Sequence, residues 1–196
     1  MKMIVGLGNI GKEYRDTRHN AGFLFLEALR EELKLDFREE PAFRGRVAKA
    51  QLEGETVLFL MPSTYMNDSG SAVQSLAAYY KVWPEDILVV YDDMDLPVGE
   101  VRWRKKGSSG GQKGMADIIE KMGTQEIPRL KIGIGKGDVH HRGKDYVLGT
   151  FRKEERSLID KVIALHREGI PLFLRDGMDA AMNRMNGKQA EAEGNL

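Results

Sequence analysis

The chain has 196 residues, 41% of them hydrophobic, which suits a single domain with one core. It contains no cysteine, which excludes disulfides, thiolate metal sites and cysteine nucleophiles together and points to a reducing compartment. Basic and acidic side chains balance at 30 each, a neutrality that taken globally argues against a nucleic-acid partner.

The distribution of charge says otherwise. Between positions 102 and 144 there are eleven Lys or Arg against four Asp or Glu, a local net charge of +7 that the remainder of the chain offsets. One phosphate-facing surface would give that split, although segregated charge also occurs without a partner. The opening residues reach Gly6 too soon for the apolar run of a signal peptide, and no stretch approaches the roughly 20 apolar residues of a membrane span. A soluble, cytosolic protein is the expectation.

In chain order, residues 2–7 predict a short buried strand, and Leu26, Leu29 and Leu33 mark the inner face of a helix over about 22–35. Runs at 46–52 and 56–61 flank Glu53-Gly54-Glu55 and predict a hairpin. Val73, Leu76, Ala77 and Tyr80 recur at helical spacing, so a helix covers about 69–80, with Asn67, Asp68 or Ser69 as its cap. The unbroken apolar run 87–91 reads as a central strand.

Residues 100–104 alternate, with Val101 and Trp103 on one face and Arg102 and Arg104 on the other; in the next strand Leu130, Ile132 and Ile134 leave Arg129 and Lys131 opposite. Between them Met115, Ile118, Ile119 and Met122 mark a helix entered through the glycine-rich segment 107–111. After a polar loop around His140 and His141, helices are expected near 154–168 and 178–185. Interleaved strands and helices with one hairpin predict the α/β class: a single-domain, three-layer α/β/α fold around a twisted mixed sheet. The domain should span 1–186, followed by a polar, disordered tail at 187–196.

Three constellations carry chemistry. Gly6-Leu7-Gly8-Asn9-Ile10-Gly11 matches a dinucleotide fingerprint after a strand. Such a site also needs a helix opening at the last glycine and an acid ending a second strand about 20 residues on. Here 12–20 is polar and Glu31 falls inside a helix, so a nucleotide cofactor is not expected. His19 lies in a strand-to-helix connection, where a histidine serves either as a general base or as a surface or capping group. Asp92-Asp93-Met94-Asp95 ends the strand at 87–91, at the strand end where ligands of α/β sheets gather. One of these carboxylates beside His19 would hold the imidazole's tautomer and stabilise its cation; two could bind a metal instead, and a plain turn is the bland alternative. No serine stands in a nucleophile-elbow context, which favours water as nucleophile. His140 and His141 lack ligand-spaced partners and His166 sits in a charged helix, so no metal site is expected. Asn9 and Asn67 each follow a strand, and their amides can grip a carbonyl or a water.

Together these segments resemble the bacterial peptidyl-tRNA hydrolases, from Ile4 to about Met185. The blocks that carry the resemblance are 4–9, Tyr14 with 17–22, 62–67, 92–97, Gly110-Gly111 and 129–135. The resemblance implies a metal- and cofactor-independent ester hydrolase with His19 as general base, Asp92 as its orienting acid, and Asn9 distinguishing blocked from free aminoacyl-tRNA. It places Tyr14, Tyr65, Met66 and Asn67 along the groove for the 3′ end, and Arg104 and Lys131 at tRNA phosphates. It also implies a cytoplasmic monomer recycling peptidyl-tRNA. Two positions depart from the usual family pattern: Ile10 stands where proline is usual, and Lys113 where an asparagine contacts substrate. Lysine cannot accept a hydrogen bond, so at 113 it either meets a phosphate of the CCA end or faces solvent. The rival reading is a non-catalytic RNA-binding relative on the same scaffold, as some plant organelle splicing factors resemble this family. His19, Asp92 and Asn9 together favour the enzyme.

Overall fold

The computed structural model describes residues 1–137 and 143–188. His140 and His141, and the tail from 189 on, lie outside the described residues. The apolar run Met3-Ile4-Val5 forms β1 (Lys2–Gly6) at the centre of a seven-stranded mixed sheet. The other strands are β2 (Arg38–Glu40), β3 (Gly45–Leu52), β4 (Glu55–Pro62), β5 (Ile87–Asp93), β6 (Val101–Arg104) and β7 (Arg129–Gly133), ordered β2-β3-β4-β1-β5-β7-β6. β4, β1, β5 and β7 run parallel; β2, β3 and β6 are antiparallel to their neighbours. The expected hairpin is β3–β4, turning through Glu53 and Gly54 at positive φ.

Strands buried on both faces read as unbroken apolar runs, and here alternate residues enter opposite cores. Ile4, Phe59, Leu88 and Val90 face α1 (Ala21–Leu33), α5 (Lys153–His166), α6 (Gly169–Asp176) and α7 (Met178–Met185). Met3, Val5, Leu58, Val89 and Tyr91 face α2 (Ser69–Tyr80) and α3 (Lys113–Met122). The three layers expected from the sequence are therefore present. No described helix is long and apolar enough to cross a membrane.

The first two glycines of the motif at 6–11 serve packing. A Cβ on Gly6 would lie 2.5 Å from the Gly22 carbonyl oxygen, and one on Gly8 would lie 2.5 Å from the Phe23 ring. Gly22 is equally confined, since its Cβ would run into the Val90 carbonyl oxygen. α1 can therefore cross close above β1 and β5. It starts at Ala21, ten residues past Gly11, so Gly11 opens no long helix as a dinucleotide fingerprint requires.

Three sequence expectations need correction. The helix read to 35 stops at Leu33, where Lys34 turns left-handed. α4 (Gly143–Val147) and α6 were not expected: α4 is one short turn, and Gly169 with Pro171 reads as a break. Pro171 stands in the first turn of α6, where its missing N–H costs no intrahelical bond. Gly169 admits Trp103, whose ring carbon would lie 2.6 Å from an added Cβ. Arg129, assigned to the open face with Lys131, is fully buried and donates to the carbonyls of Ile127, Ser108 and Gln125 at 3.0, 2.7 and 2.9 Å. It ties the glycine-rich segment down onto the loop before β7. His166, expected in a charged helix, is the last residue of α5. It is fully buried, accepting from Trp103 Nε1 at 3.1 Å through Nδ1 and facing the Lys188 carbonyl at 3.1 Å through Nε2.

Candidate active site

The carboxyl ends of the parallel strands deliver the polar residues to one place. The loop after β1 carries Asn9, a 3-10 turn after β4 carries Met66 and Asn67, and β5 ends in Asp92 and Asp93. His19 comes from the 3-10 turn Arg18–Asn20, which leads directly into α1. These residues, with Tyr14, Tyr65 and Lys113, line a cavity of about 400 Å³.

His19 Nδ1 lies 2.9 Å from Asp92 Oδ2, and Asp92 is 2% exposed. A carboxylate only accepts, so Nδ1 carries a proton, and in the neutral ring the lone pair is then on Nε2. The turn bearing His19 is held from behind. The Arg18 backbone N–H donates to the Gly149 carbonyl at 3.0 Å, and Thr17 bridges Thr150. The buried Arg18 guanidinium pairs with Glu155 at 2.9 Å, donates to the Tyr146 carbonyl at 3.2 Å and stacks 4.1 Å from the Tyr146 ring centroid. Burial by itself would raise the Glu155 carboxyl, but hydrogen bonds from Arg152 and Arg18 outweigh it and hold it below the usual range.

Asn9 is fixed twice. Asn20 Oδ1 accepts from the Asn9 backbone N–H at 2.8 Å while Asn20 Nδ2 donates to the Asn9 carbonyl at 3.0 Å. The side-chain Oδ1 of Asn9 accepts from the Met66 N–H at 2.8 Å. A backbone N–H can only donate, so the oxygen is committed and the amide Nδ2 is the group left to donate to a ligand.

The sequence profile of the peptidyl-tRNA hydrolase family matches residues 3–193. The chain belongs to the peptidyl-tRNA hydrolase family. Among its relatives in that family, the peptidyl-tRNA hydrolase of Desulfitobacterium hafniense is 48% identical over 95% of this chain and 100% of its own length. That of Brevibacillus brevis is 41% identical over 95% of this chain and 98% of its own. The solved structure of a point mutant of Acinetobacter baumannii peptidyl-tRNA hydrolase superimposes with a TM-score of 0.92 at 37% identity, covering 96% of each chain.

Within this peptidyl-tRNA hydrolase family member, the sequence-derived site residues divide in two. Asn9, Tyr14, His19, Tyr65, Met66, Asn67, Asp92 and Lys113 share the cavity wall; Arg104 and Lys131 do not line it. Asn67 is exposed, and the cap position of α2 is Asp68, whose carboxylate instead takes the Ser71 hydroxyl and Lys121. Lys113 is the first residue of α3, exposed, with no ion pair among the described residues. Arg102 and Arg104 stand across the β6–β7 ladder from Lys131 and Arg129. Burial lowers the Lys131 ammonium despite Asp93 at 3.9 Å, and the Arg129, Arg104 and Arg102 charges add to that effect. Cations crowded on one face are what an anionic ligand would relieve.

Sequence reasoning passed over two residues. Asn20 had no assigned role, because nothing local distinguishes an asparagine that clamps a distant backbone. Gln112 was overshadowed by its neighbour Lys113, yet it is Gln112 that is buried and donates to Asp92 Oδ1 at 3.0 Å. Its place three residues before Met115, at a helix entry, is the one local sign that its side chain has a fixed task.

Proposed function

We propose that this chain hydrolyses the ester joining a peptide, or an N-blocked amino acid, to the 3′ ribose of tRNA, and so returns tRNA from peptidyl-tRNA to translation. The reading rests on the 2.9 Å contact between His19 and Asp92 beside Asn9, in a cavity open to solvent. His19 Nε2 takes a proton from water, and the resulting hydroxide adds to the ester carbonyl. Asp92 keeps the imidazole in the reactive tautomer and stabilises the imidazolium that forms. Asn9 Nδ2 donates to the carbonyl oxygen as charge develops there, with Asn67, which also lines the cavity, placing water or carbonyl. The tetrahedral intermediate collapses, and the imidazolium returns its proton to the departing 3′ oxygen.

Tyr14, Tyr65, Met66 and Asn67 receive the 3′ end. Tyr65 is 59% exposed on the cavity wall and offers a face on which a nucleobase can stack. Arg104 and Lys131 contact phosphates of the acceptor stem, giving an affinity largely independent of tRNA sequence. Lys113 faces the CCA end at the cavity mouth. The protein acts as a cytoplasmic monomer without metal or cofactor.

The test is release of N-acetyl-amino acid from N-acetyl-aminoacyl-tRNA in the presence of EDTA, with unblocked aminoacyl-tRNA as the control. Cleavage of the blocked substrate alone is expected. Binding of tRNA without cleavage would overturn the enzymatic reading in favour of an RNA-binding relative.

A further inference from the structure

Gln112 occupies the cap position of α3, and its Oε1 accepts from the Met115 N–H at 2.8 Å, one of the helix-start donors with no intrahelical partner. That bond decides which way the amide points. With the oxygen facing a backbone donor, the NH₂ has to face elsewhere, and it lies 3.0 Å from Asp92 Oδ1. The opposite carboxylate oxygen, Oδ2, meets His19 Nδ1 at 2.9 Å. Asp92 is thus gripped on both oxygens, from α3 on one side and from the His19 turn on the other. Rotation of the carboxylate would break at least one of these bonds. Gln112 Nε2 also lies 3.3 Å from Met66 Sδ, and the Met66 N–H is the donor that fixes Asn9. Both the base-orienting side and the carbonyl-gripping side of the cavity therefore border the same amide.

We propose that Gln112 is a positioning residue for the hydrolysis, holding Asp92, and through it His19, in the reactive arrangement. The inference rests on His19 and Asp92 acting as described above. The amide's neutrality is part of the device. A carboxylate at this position would repel the buried Asp92, and an ammonium would compete with the imidazolium for its charge. A neutral donor orients Asp92 and leaves that charge to stabilise the imidazolium. Without the donor, one oxygen of a buried carboxylate has no partner and the group is free to turn away from His19.

The discriminating variant is Gln112→Glu. It retains an oxygen for the Met115 N–H, and negative charge is favoured at a helix start, but it cannot donate to Asp92 when ionised. With N-acetyl-aminoacyl-tRNA, kcat is expected to fall roughly 10–100-fold, the range seen when a partner orienting a reactive group is removed. KM should stay within about threefold; the melting temperature should fall, because the new carboxylate faces the buried Asp92, but by less than in Gln112→Leu, because the cap is retained. The acidic limb of the kcat/KM profile should move to higher pH, because the added carboxylate favours the imidazolium; Lys113 and Lys144 on the cavity wall are unchanged. Gln112→Leu removes cap and donor together and should lower both melting temperature and kcat. Wild-type kcat and pH profile in Gln112→Glu would overturn the proposal. So would a fall in kcat accompanied by destabilisation as large as in Gln112→Leu, since a cap alone would account for it. His19→Ala in the same assay separates the two levels: turnover there sinks the base assignment, whereas an inactive His19→Ala beside a fully active Gln112→Glu sinks only the role of Gln112.

Discussion

The cavity around His19 and the basic face at β6 and β7 lie on one molecule but are built on opposite principles. In the cavity the groups that hold the reactive atoms are committed: Asn20 grips Asn9, Asn9 grips Met66, Gln112 and His19 share Asp92, and Arg18 pins the turn behind them. On the basic face, Arg102 is exposed, Arg104 bonds its neighbour's carbonyl at 3.3 Å, and Lys131 approaches Asp93 at 3.9 Å. Chemistry requires groups held within a fraction of an ångström of the productive geometry, whereas attraction to phosphates acts over about 10 Å and tolerates mobile side chains. A rigid network and a loose charged face are each suited to one half of a substrate that joins a reactive ester to a polyanion.

The comparison can be broken most directly at His19. His19→Ala should lose roughly 10²–10⁴-fold in kcat, about 3–5 kcal/mol of transition-state stabilisation, while tRNA affinity persists. Paired turnover and filter-binding measurements check this, and equal losses in both would mean that the two regions are not separate in function. The converse experiment is the double variant Arg104→Ala with Lys131→Ala. It should leave kcat near that of the wild type and weaken binding by about tenfold at low salt, reducing the salt slope by about one for each phosphate no longer neutralised. An unchanged slope would remove this face from tRNA binding.

Lys113 lines the cavity but is an exposed cation at the start of α3. Lys113→Asn should stay active and change mainly the salt dependence of tRNA affinity; a collapse of turnover would place Lys113 in the rigid half instead. The smallest effect is expected at His166, which supports β6 from beneath. Burial lowers its imidazolium below the ordinary histidine range, with only partial compensation from the Lys188 carbonyl. The unfolded chain therefore binds the proton first as pH falls. The stability gained from neutral His166 is complete above about pH 6.5 and declines below it, through the lowered folded-state value. Thermal melts of wild type and His166→Gln between pH 7.5 and 5 should converge toward the acid end, and parallel curves would contradict this.

Much of the fold was legible because its signals are periodic. Met3-Ile4-Val5 and the run ending at Tyr91 announced strands buried on both faces, and Val73, Leu76 and Ala77 announced α2. α6 was hidden because Gly169 and Pro171 act as breakers in isolation, and the approach of Trp103 and Met185 explains why a side chain is excluded at 169. Arg129 was misplaced because alternation reports which face a residue takes, not whether another segment closes over that face.

For the site, the sequence by itself supplied the residue types and an order of blocks from which His19, Asp92 and Asn9 could be named. It also set the apolar periods that require a sheet covered on both sides. Only the tertiary structure decided that residues 73 positions apart meet at 2.9 Å, and that Gln112 rather than Lys113 touches the carboxylate. It also decided that two glycines of a nucleotide-like motif serve to bring a helix close to the sheet. The physical reason is common to all three: periodicity is a property of neighbours along the chain, while a hydrogen bond between side chains depends on where distant backbones come to rest.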